Sequence, residues 1–579
     1  MNVKYLFAAA LGLLVTIGAS AQDTNTVKLK IIQTSDVHGS FFPYNFIERK
    51  EAKGSLARVS SYVNEARKEY DGNVILLDNG DILQGQPTCY YYNYVANGKQ
   101  NIVSKILNYM HYDAATVGNH DVEPGHAVYD KWFSELRCPV LGANIINTAT
   151  GLSYLKPYTI IEKGGVRVAV IGMLTPAIPS WLEEKLWQGL HFDDIVTSCK
   201  KWVDFIKRNE RSDIIIGLFH SGWDGGIATA DYTEDAAKAA AENVEGLDIV
   251  FFGHDHRARK AVVKSPSGTD VLCLDPSCNA VNVADATVEI TKTDGKVVAK
   301  KVYGEVKDIT SQPVDEAYVS FFKDDIQEVK EYVNQKIGNI GKTMYTRDCF
   351  FGDALFTDFI QNIQLKLTKA DISFCAPLQF NAVIPKGALT MADMFKLYRY
   401  ENKLCVLRMT GEEIRKHLEM SYDLWTNTMK TKDDHIMLLD ERNSTDMQKF
   451  GFRNMTFNFD SATGIDYVVD VTKPDGEKVK ILRMSDGKKF DLNKWYNVAM
   501  NSYRANGGGE LLTRGAGIPK EQLRERVVYE SKLDLRHYIA EEIKKQKNIS
   551  PKLNGNWRFV PETFTKEALQ RDRKLLFGE

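Results

Sequence analysis

Eight of the eleven histidines in this 579-residue chain, at positions 38, 111, 120, 126, 191, 220, 254 and 256, fall in its first half. Several stand within two residues of an acidic or second imidazole side chain, as in Asp36-Val37-His38, Asn119-His120-Asp121 and His254-Asp255-His256. A lone histidine is ordinarily a surface or core residue, whereas imidazoles repeatedly paired with carboxylates point to metal ligation. With Asp81 and His220 added, the candidate donors are Asp36, His38, Asp81, Asn119, His220, His254 and His256. Seven donors exceed one tetrahedral zinc site. They suit two divalent cations that share a carboxylate and keep positions open for water and substrate. Mixed imidazole, carboxylate and amide donors accept zinc, manganese, cobalt or iron without selecting among them.

Donors so far apart in the chain need a scaffold that brings them together. Short apolar, β-rich runs recur at Leu29 to Thr34, Val74 to Leu77, Ala114 to Val117, Val166 to Met173, Ile214 to Phe219 and Ile249 to Phe252, separated by segments of helical character. This alternation predicts an α/β layered domain with largely buried strands. Five of the six runs are followed at once by polar, metal-competent residues: Ser35 to His38, Asn79-Gly80-Asp81, Gly118 to Asp121, His220-Ser221-Gly222 and Gly253 to His256. In α/β folds the carboxyl ends of strands converge where sites are built. From Val314 to Gln335 the chain is charged and spaces Phe321, Phe322, Ile326, Val329 and Val333 as a helix would, which predicts one long connecting helix. A second domain of mixed helix and strand follows. Helices are expected over Asp353 to Leu367 and Gly411 to Tyr422, a strand over Tyr467 to Val471, and the last twenty residues read as a charged surface helix or tail.

Composition removes several classes of function. Hydrophobic residues make up 44% of the chain and charged residues 26%, with 74 basic against 76 acidic side chains. Such a chain is neither disordered nor a polyanion binder, so no nucleic-acid polymer is expected as a partner. Lys4 precedes the uncharged run Tyr5 to Gly18 and then Ala19-Ser20-Ala21, the pattern of a secretory signal cleaved before Gln22. A membrane anchor is the alternative, but the run is shorter than the roughly 20 residues that span a bilayer. The expected location is periplasmic or secreted, with no membrane anchor. Eight cysteines permit disulfides without a C-x-x-C pair; Cys273 and Cys278 are spaced to close a short loop, and buried free thiols are the plainer alternative.

The ordered blocks D-x-H (Asp36 to His38), G-D-x-x-x-G (Gly80 to Gly85), G-N-H-D (Gly118 to Asp121), a single His220 and G-H-x-H (Gly253 to His256) resemble the calcineurin-like metallophosphoesterases. The resemblance implies a four-layer αββα domain. It gives Asp36, His38 and His256 to a first cation, Asn119, His220 and His254 to a second, and Asp81 to both. Two adjacent cations acidify a shared water, align the bridging hydroxide for in-line attack on phosphorus and neutralise the phosphoryl oxygens. His120 resembles the family's non-ligand histidine that stabilises the transition state or protonates the leaving oxygen. Related nucleotidases orient that histidine with an Asp three residues on; here the position is Glu123.

Asp348 to Gly515 resembles the C-terminal domain of secreted 5′-nucleotidases and 2′,3′-cyclic-nucleotide phosphodiesterases. In that family two aromatic rings clamp the base. The matching rings are Phe457, in Phe457-Asn458-Phe459-Asp460, and Tyr503, in Asn501 to Ala505, with Phe459 the alternative to Phe457. Asn119 is also expected to touch substrate. The 5′-nucleotidases usually carry N-G-G-G-I-R and G-G-D-G-Y; this chain has Ser373-Phe374-Cys375-Ala376-Pro377-Leu378-Gln379 and Gly507-Gly508-Gly509-Glu510 instead. It is more similar to the bifunctional 2′,3′-cyclic-nucleotide 2′-phosphodiesterase and 3′-nucleotidase branch, through Asn79 to Gly85, Tyr398-Arg399-Tyr400-Glu401-Asn402 and the two aromatic blocks. The expected substrate is therefore a small nucleotide. A 5′-nucleotidase or sugar-nucleotide hydrolase on the same metals is the alternative, and a non-catalytic nucleotide-binding protein a remote one. The expected organisation is a signal over 1–21, a metallophosphoesterase domain over 22–313, a linker helix over 314–345, a substrate domain over 346–560 and a tail over 561–579. A base held by the second domain meets the first domain's metals only when the two lobes close on each other.

Overall fold

The computed structural model describes residues 24–440 and 451–579; the expected signal peptide lies outside the described residues. Residues 24–308 build two six-stranded sheets. One runs in the order Lys296–Asp308, Asn282–Thr293, Thr24–Thr34, Val74–Asp78, Ala114–Thr116, Val140–Leu141. The other runs Arg259–Lys264, Asp270–Asp275, Ile249–Phe252, Ile214–His220, Val166–Leu174, Tyr158–Lys163. Strand alternation assigns the layers. Leu29 and Ile31 pack with Val168, Val170, Ile216 and Phe251 between the sheets, while Ile32 faces outward into a helix-covered core. Ala169, Ile171 and Met173 face the opposite helical layer, against Cys199 and Val203 of helix Ile195–Asn209. The result is the four-layer αββα arrangement, and the strand pairs 30–34 with 74–78, and 214–220 with 168–174, run parallel so that their carboxyl ends share one edge.

The expected single helix over Val314 to Gln335 is two helices, Glu316–Phe321 and Lys323–Asn334. At Phe322 ψ opens to 12°, yet hydrogen bonding continues through the bend, from Phe322 N–H to Tyr318 O and from Ile326 N–H to Phe322 O. The bend seats Phe322 against Phe42, Tyr109 and Tyr318, so these helices are part of the first domain's outer core as well as a connection. Helical character ends at Asn334 rather than running to 345: Lys336–Ile340 is already a strand, paired with Gly387–Thr390 and Asn548–Ile549.

The second domain centres on a five-stranded sheet ordered Ser461–Thr463, Ile372–Cys375, Trp495–Asn501, Lys403–Thr410, Val527–Asp534. Helices Leu355–Thr368 and Gly411–Trp425 pack on it. The C-terminal residues form helix Glu562–Phe577, and this helix is docked rather than a loose tail. Its Asp572 is fully buried and accepts the N–H groups of Ile436 and Met437, and Phe577 stacks on Phe380. All eight cysteines are free thiols, so Cys273 and Cys278 are not bridged. Among the described residues no helix is long and apolar enough to cross a membrane.

The domains meet through specific polar contacts. Tyr90 donates its hydroxyl to Asp534 at 2.9 Å, and the buried Arg536 guanidinium lies over the same Tyr90 ring. Arg49 reaches Asp393 at 3.2 Å, and Lys520 donates to Ser180 O.

Candidate metal centre

The turns that follow the strands carry unusual backbone. Asp36, His38, Asp81, His254 and His256 all have positive φ, between 47° and 78°. Left-handed conformations in non-glycine residues cost about 1–3 kcal/mol each and persist where surrounding structure enforces them. Two block glycines make the approach possible. A Cβ on Gly118 would lie 2.1 Å from Asp81 Oδ1, and one on Gly253 would lie 2.1 Å from Ser35 Oγ.

The seven expected donors converge. Asp81 Oδ2 lies 3.3 Å from His220 Nε2 and 3.9 Å from His38 Nε2, between two groups of ligands. On one side His38 Nε2 is 3.0 Å from His256 Nε2, and His256 Nε2 is 3.3 Å from Asp36 Oδ1. On the other, Asn119 Oδ1 is 3.1 Å from His220 Nε2 and 2.8 Å from His254 Nδ1. The donor atoms of Asp36, His38, Asp81 and His256 form one compact group and those of Asp81, His220 and His254 another.

These residues fit divalent cations. Asp36 Oδ1 is buried with the His256 ring 3.3 Å away, and a buried carboxylate oxygen of this kind calls for more positive charge than one imidazole. His38 Nε2 and His256 Nε2 face each other at 3.0 Å, close enough to share a proton or to hold a cation from two sides. Burial acts to raise the Asp36 and Asp81 carboxyls, but the facing His220, with His256 at Asp36 and His120 at Asp81, holds both well below the usual carboxylate range. Burial and the neighbouring His256 depress His38 to about 3.

The supporting contacts fix which nitrogen each ring presents. His220 Nδ1 faces Asn79 O at 2.7 Å and His38 Nδ1 faces Gln84 O, which turns both Nε2 atoms inward. Asp121, to which the sequence reading gave no role, organises the loop. Its buried carboxylate accepts the N–H groups of Asp81, Ile82, Leu83 and Gly118 at 2.7–2.9 Å. Burial and the charge of Asp81 raise its pKa to about 6. The G-N-H-D spacing was the signal for it.

His120 stands beside the donors without joining them. Its N–H donates to Asp81 Oδ1, and its Nδ1 is 2.7 Å from Glu123 Oε2. Burial works against protonation, yet Asp81 and Glu123 raise His120 to about 9. The longer Glu side chain thus spans the three-residue gap.

Phe457 and Tyr503 lie together, both half-buried, with ring centroids 6.1 Å apart and planes at 84°. This is edge to face, so a base sandwiched between them requires one ring to turn. Phe459 is fully buried and stacked on Trp425 at 5.4 Å, which makes it core. Gly508 backs the Tyr503 ring, since a Cβ there would lie 2.4 Å from Cε2. Arg504, within the Asn501 to Ala505 block, ties the two aromatic blocks together. Its guanidinium donates to Asp460 Oδ2 at 2.9 Å and to Phe457 O at 2.9 Å. Trp181 lies tilted over His254 at 5.7 Å.

Residues 29–258 match the calcineurin-like phosphoesterase family, and residues 334–514 match the 5′-nucleotidase C-terminal domain. The chain carries a calcineurin-like phosphoesterase domain followed by a 5′-nucleotidase C-terminal domain. A metallophosphoesterase of this kind is a phosphoric ester hydrolase that uses divalent metal ions. The 2′,3′-cyclic-nucleotide 2′-phosphodiesterase/3′-nucleotidase of Haemophilus influenzae is 28% identical over 94% of this chain and 89% of its own length. The Salmonella typhimurium protein of the same name is 26% identical over 95% and 91%. The solved structure of a Staphylococcus aureus protein assigned as a 5′-nucleotidase shares the metallophosphoesterase fold with a TM-score of 0.74, at 22% identity, covering 92% of this chain and 99% of that one.

Proposed function

We propose that this metallophosphoesterase is an exported nucleotide phosphohydrolase that opens 2′,3′-cyclic nucleotides and then removes the 3′-phosphate. The observation that carries the two-cation reading is Asp81, whose carboxylate stands between the His38 and His220 groups. Asp36, His38, Asp81 and His256 would hold one cation, and Asp81, Asn119, His220 and His254 the other. Bound there, the cations supply an acidified water as nucleophile and neutralise the phosphoryl charge. His120, held by Glu123 through Nδ1, keeps a proton on Nε2 for the leaving ribose oxygen. Asp81 adds to this by accepting the His120 N–H, which fixes that turn relative to the donors. Phe457 and Tyr503 receive the base, and Arg504 keeps their two segments in register.

Support for the cyclic and 3′ substrates comes from the near full-length similarity to two enzymes of that name and from the missing N-G-G-G-I-R and G-G-D-G-Y blocks. The deciding measurement is kcat/KM for 2′,3′-cyclic AMP, 3′-AMP and 5′-AMP under one metal condition. The reading expects the first two to exceed 5′-AMP by at least tenfold. Preference for 5′-AMP would replace it with 5′-nucleotidase activity, and stoichiometric retention of nucleotide without turnover would replace it with a binding role.

A further inference from the structure

The ligand His254 differs from His38 and His220 in what holds its ring. Those two turn their Nδ1 atoms to backbone carbonyls, whereas His254 Nε2 lies 3.0 Å from the Glu234 carboxylate. Glu234 sits in a hairpin of strands Gly225–Ala228 and Thr233–Asp235 that follows His220. It is held at three points. Its Oε2 accepts the Ile227 N–H at 2.7 Å, and its backbone carbonyl accepts the hydroxyls of Ser221 at 2.7 Å and Thr175 at 3.1 Å. Gly226 leaves space for the carboxylate, since a Cβ there would lie 2.6 Å from Glu234 Cδ. Asp235, 3.9 Å from the same His254 nitrogen, is committed to the Gly222 N–H. Trp181 covers the ring.

We propose that Glu234 is a positioning residue for the second cation: by accepting the Nε2 proton of His254 it fixes the tautomer that presents Nδ1 beside Asn119. This rests on the two-cation reading above. A carboxylate behind a ligating imidazole orients the ring and makes its free nitrogen more basic, and loss of such a partner ordinarily weakens metal binding 10- to 100-fold. A carbonyl partner orients without adding charge, so the His254 site depends on Glu234 more than the His220 donor depends on Asn79. The hairpin is thereby coupled to the metal centre.

The test is a cobalt titration of metal-stripped protein in competition with a chromophoric chelator, run on the full chain and on E234Q and E234A. Wild type should bind two cations. In E234A one site should weaken 10- to 100-fold with the other unchanged. E234Q, which keeps an acceptor but loses the charge, should fall between E234A and wild type. Melting temperatures measured in chelator should match across the three proteins, which separates positioning from a role in folding the hairpin; a drop confined to the metal-free melt, with both affinities intact, overturns the proposal. So do two unchanged sites. A third cation in wild type that disappears in E234A would make Glu234 a ligand and overturn it as well. Fewer than two cations in wild type would refute the two-cation reading itself, a failure seen in the unmodified protein and so distinct from the failure of Glu234.

Discussion

Glu123 offers the sharpest test of how His120 works. Its Oε2 lies 2.7 Å from His120 Nδ1, with the two side chains 13% and 29% exposed. A hydrogen bond to a charged group at a partly buried position contributes about 1.5–3 kcal/mol. If that energy is felt mainly as His120 transfers its proton, its loss lowers kcat by roughly 10- to 150-fold, at 1.36 kcal/mol per tenfold. E123A should show the full effect. E123Q keeps an acceptor and loses the charge, so it should lie at the lower end of that range. KM and cation affinity should change little, because Glu123 supports His120 and is not among the grouped donors. The leaving group supplies an internal control: an activated aryl ester needs no proton, so the E123A deficit should shrink on a 4-nitrophenyl ester compared with a nucleotide. An E123A enzyme with kcat within about twofold of wild type on 2′,3′-cyclic AMP would refute the orienting role. An equal deficit on both esters would refute proton donation.

Other outcomes follow from the same geometry. Chelation should abolish phosphoesterase activity and added manganese, zinc or cobalt should restore it, whereas D81A, which removes the shared carboxylate, should stay inactive at any metal concentration, as checked by steady-state turnover. Tyr503→Ala should raise KM for nucleotides about 5- to 150-fold, the equivalent of about 1–3 kcal/mol of base stacking, and leave kcat nearly unchanged because stacking stabilises ground and transition states alike. Far from the site, burial and the adjacent Asp353 carboxylate raise Asp358 well above the usual carboxylate range. A carboxyl raised in the folded state binds its proton more tightly there than in the unfolded chain, so its contribution to stability falls as pH rises from near 4 through the folded value. Thermal melting of D358N should therefore decline less steeply than wild type over that window; parallel slopes would refute the assignment.

The candidate donors and their order were legible in the sequence by itself. Each lies within a few residues of the carboxyl end of a buried apolar strand, and parallel strands place such ends on one edge whatever the intervening loops do. An α/β layered domain was legible in the alternation of β-rich runs with helical segments, and its four-layer αββα order through the resemblance carried by the motif blocks. Three things were decided only in the tertiary structure. Phe457 and Phe459 have equivalent local sequence, and only the packing of Phe459 against Trp425, a residue on a distant helix, removes it from the site. The linker reads as one amphipathic helix, but the aromatic cluster of Phe42, Tyr109 and Tyr318 draws Phe322 inward and bends it. Glu234 carries no motif, and the blocks that contain Asp121 and Arg504 do not show what those two side chains do, because all three act on other side chains and backbone groups across the fold rather than on a ligand. Their partners are set by distance in space, and periodicity along the chain has no access to that.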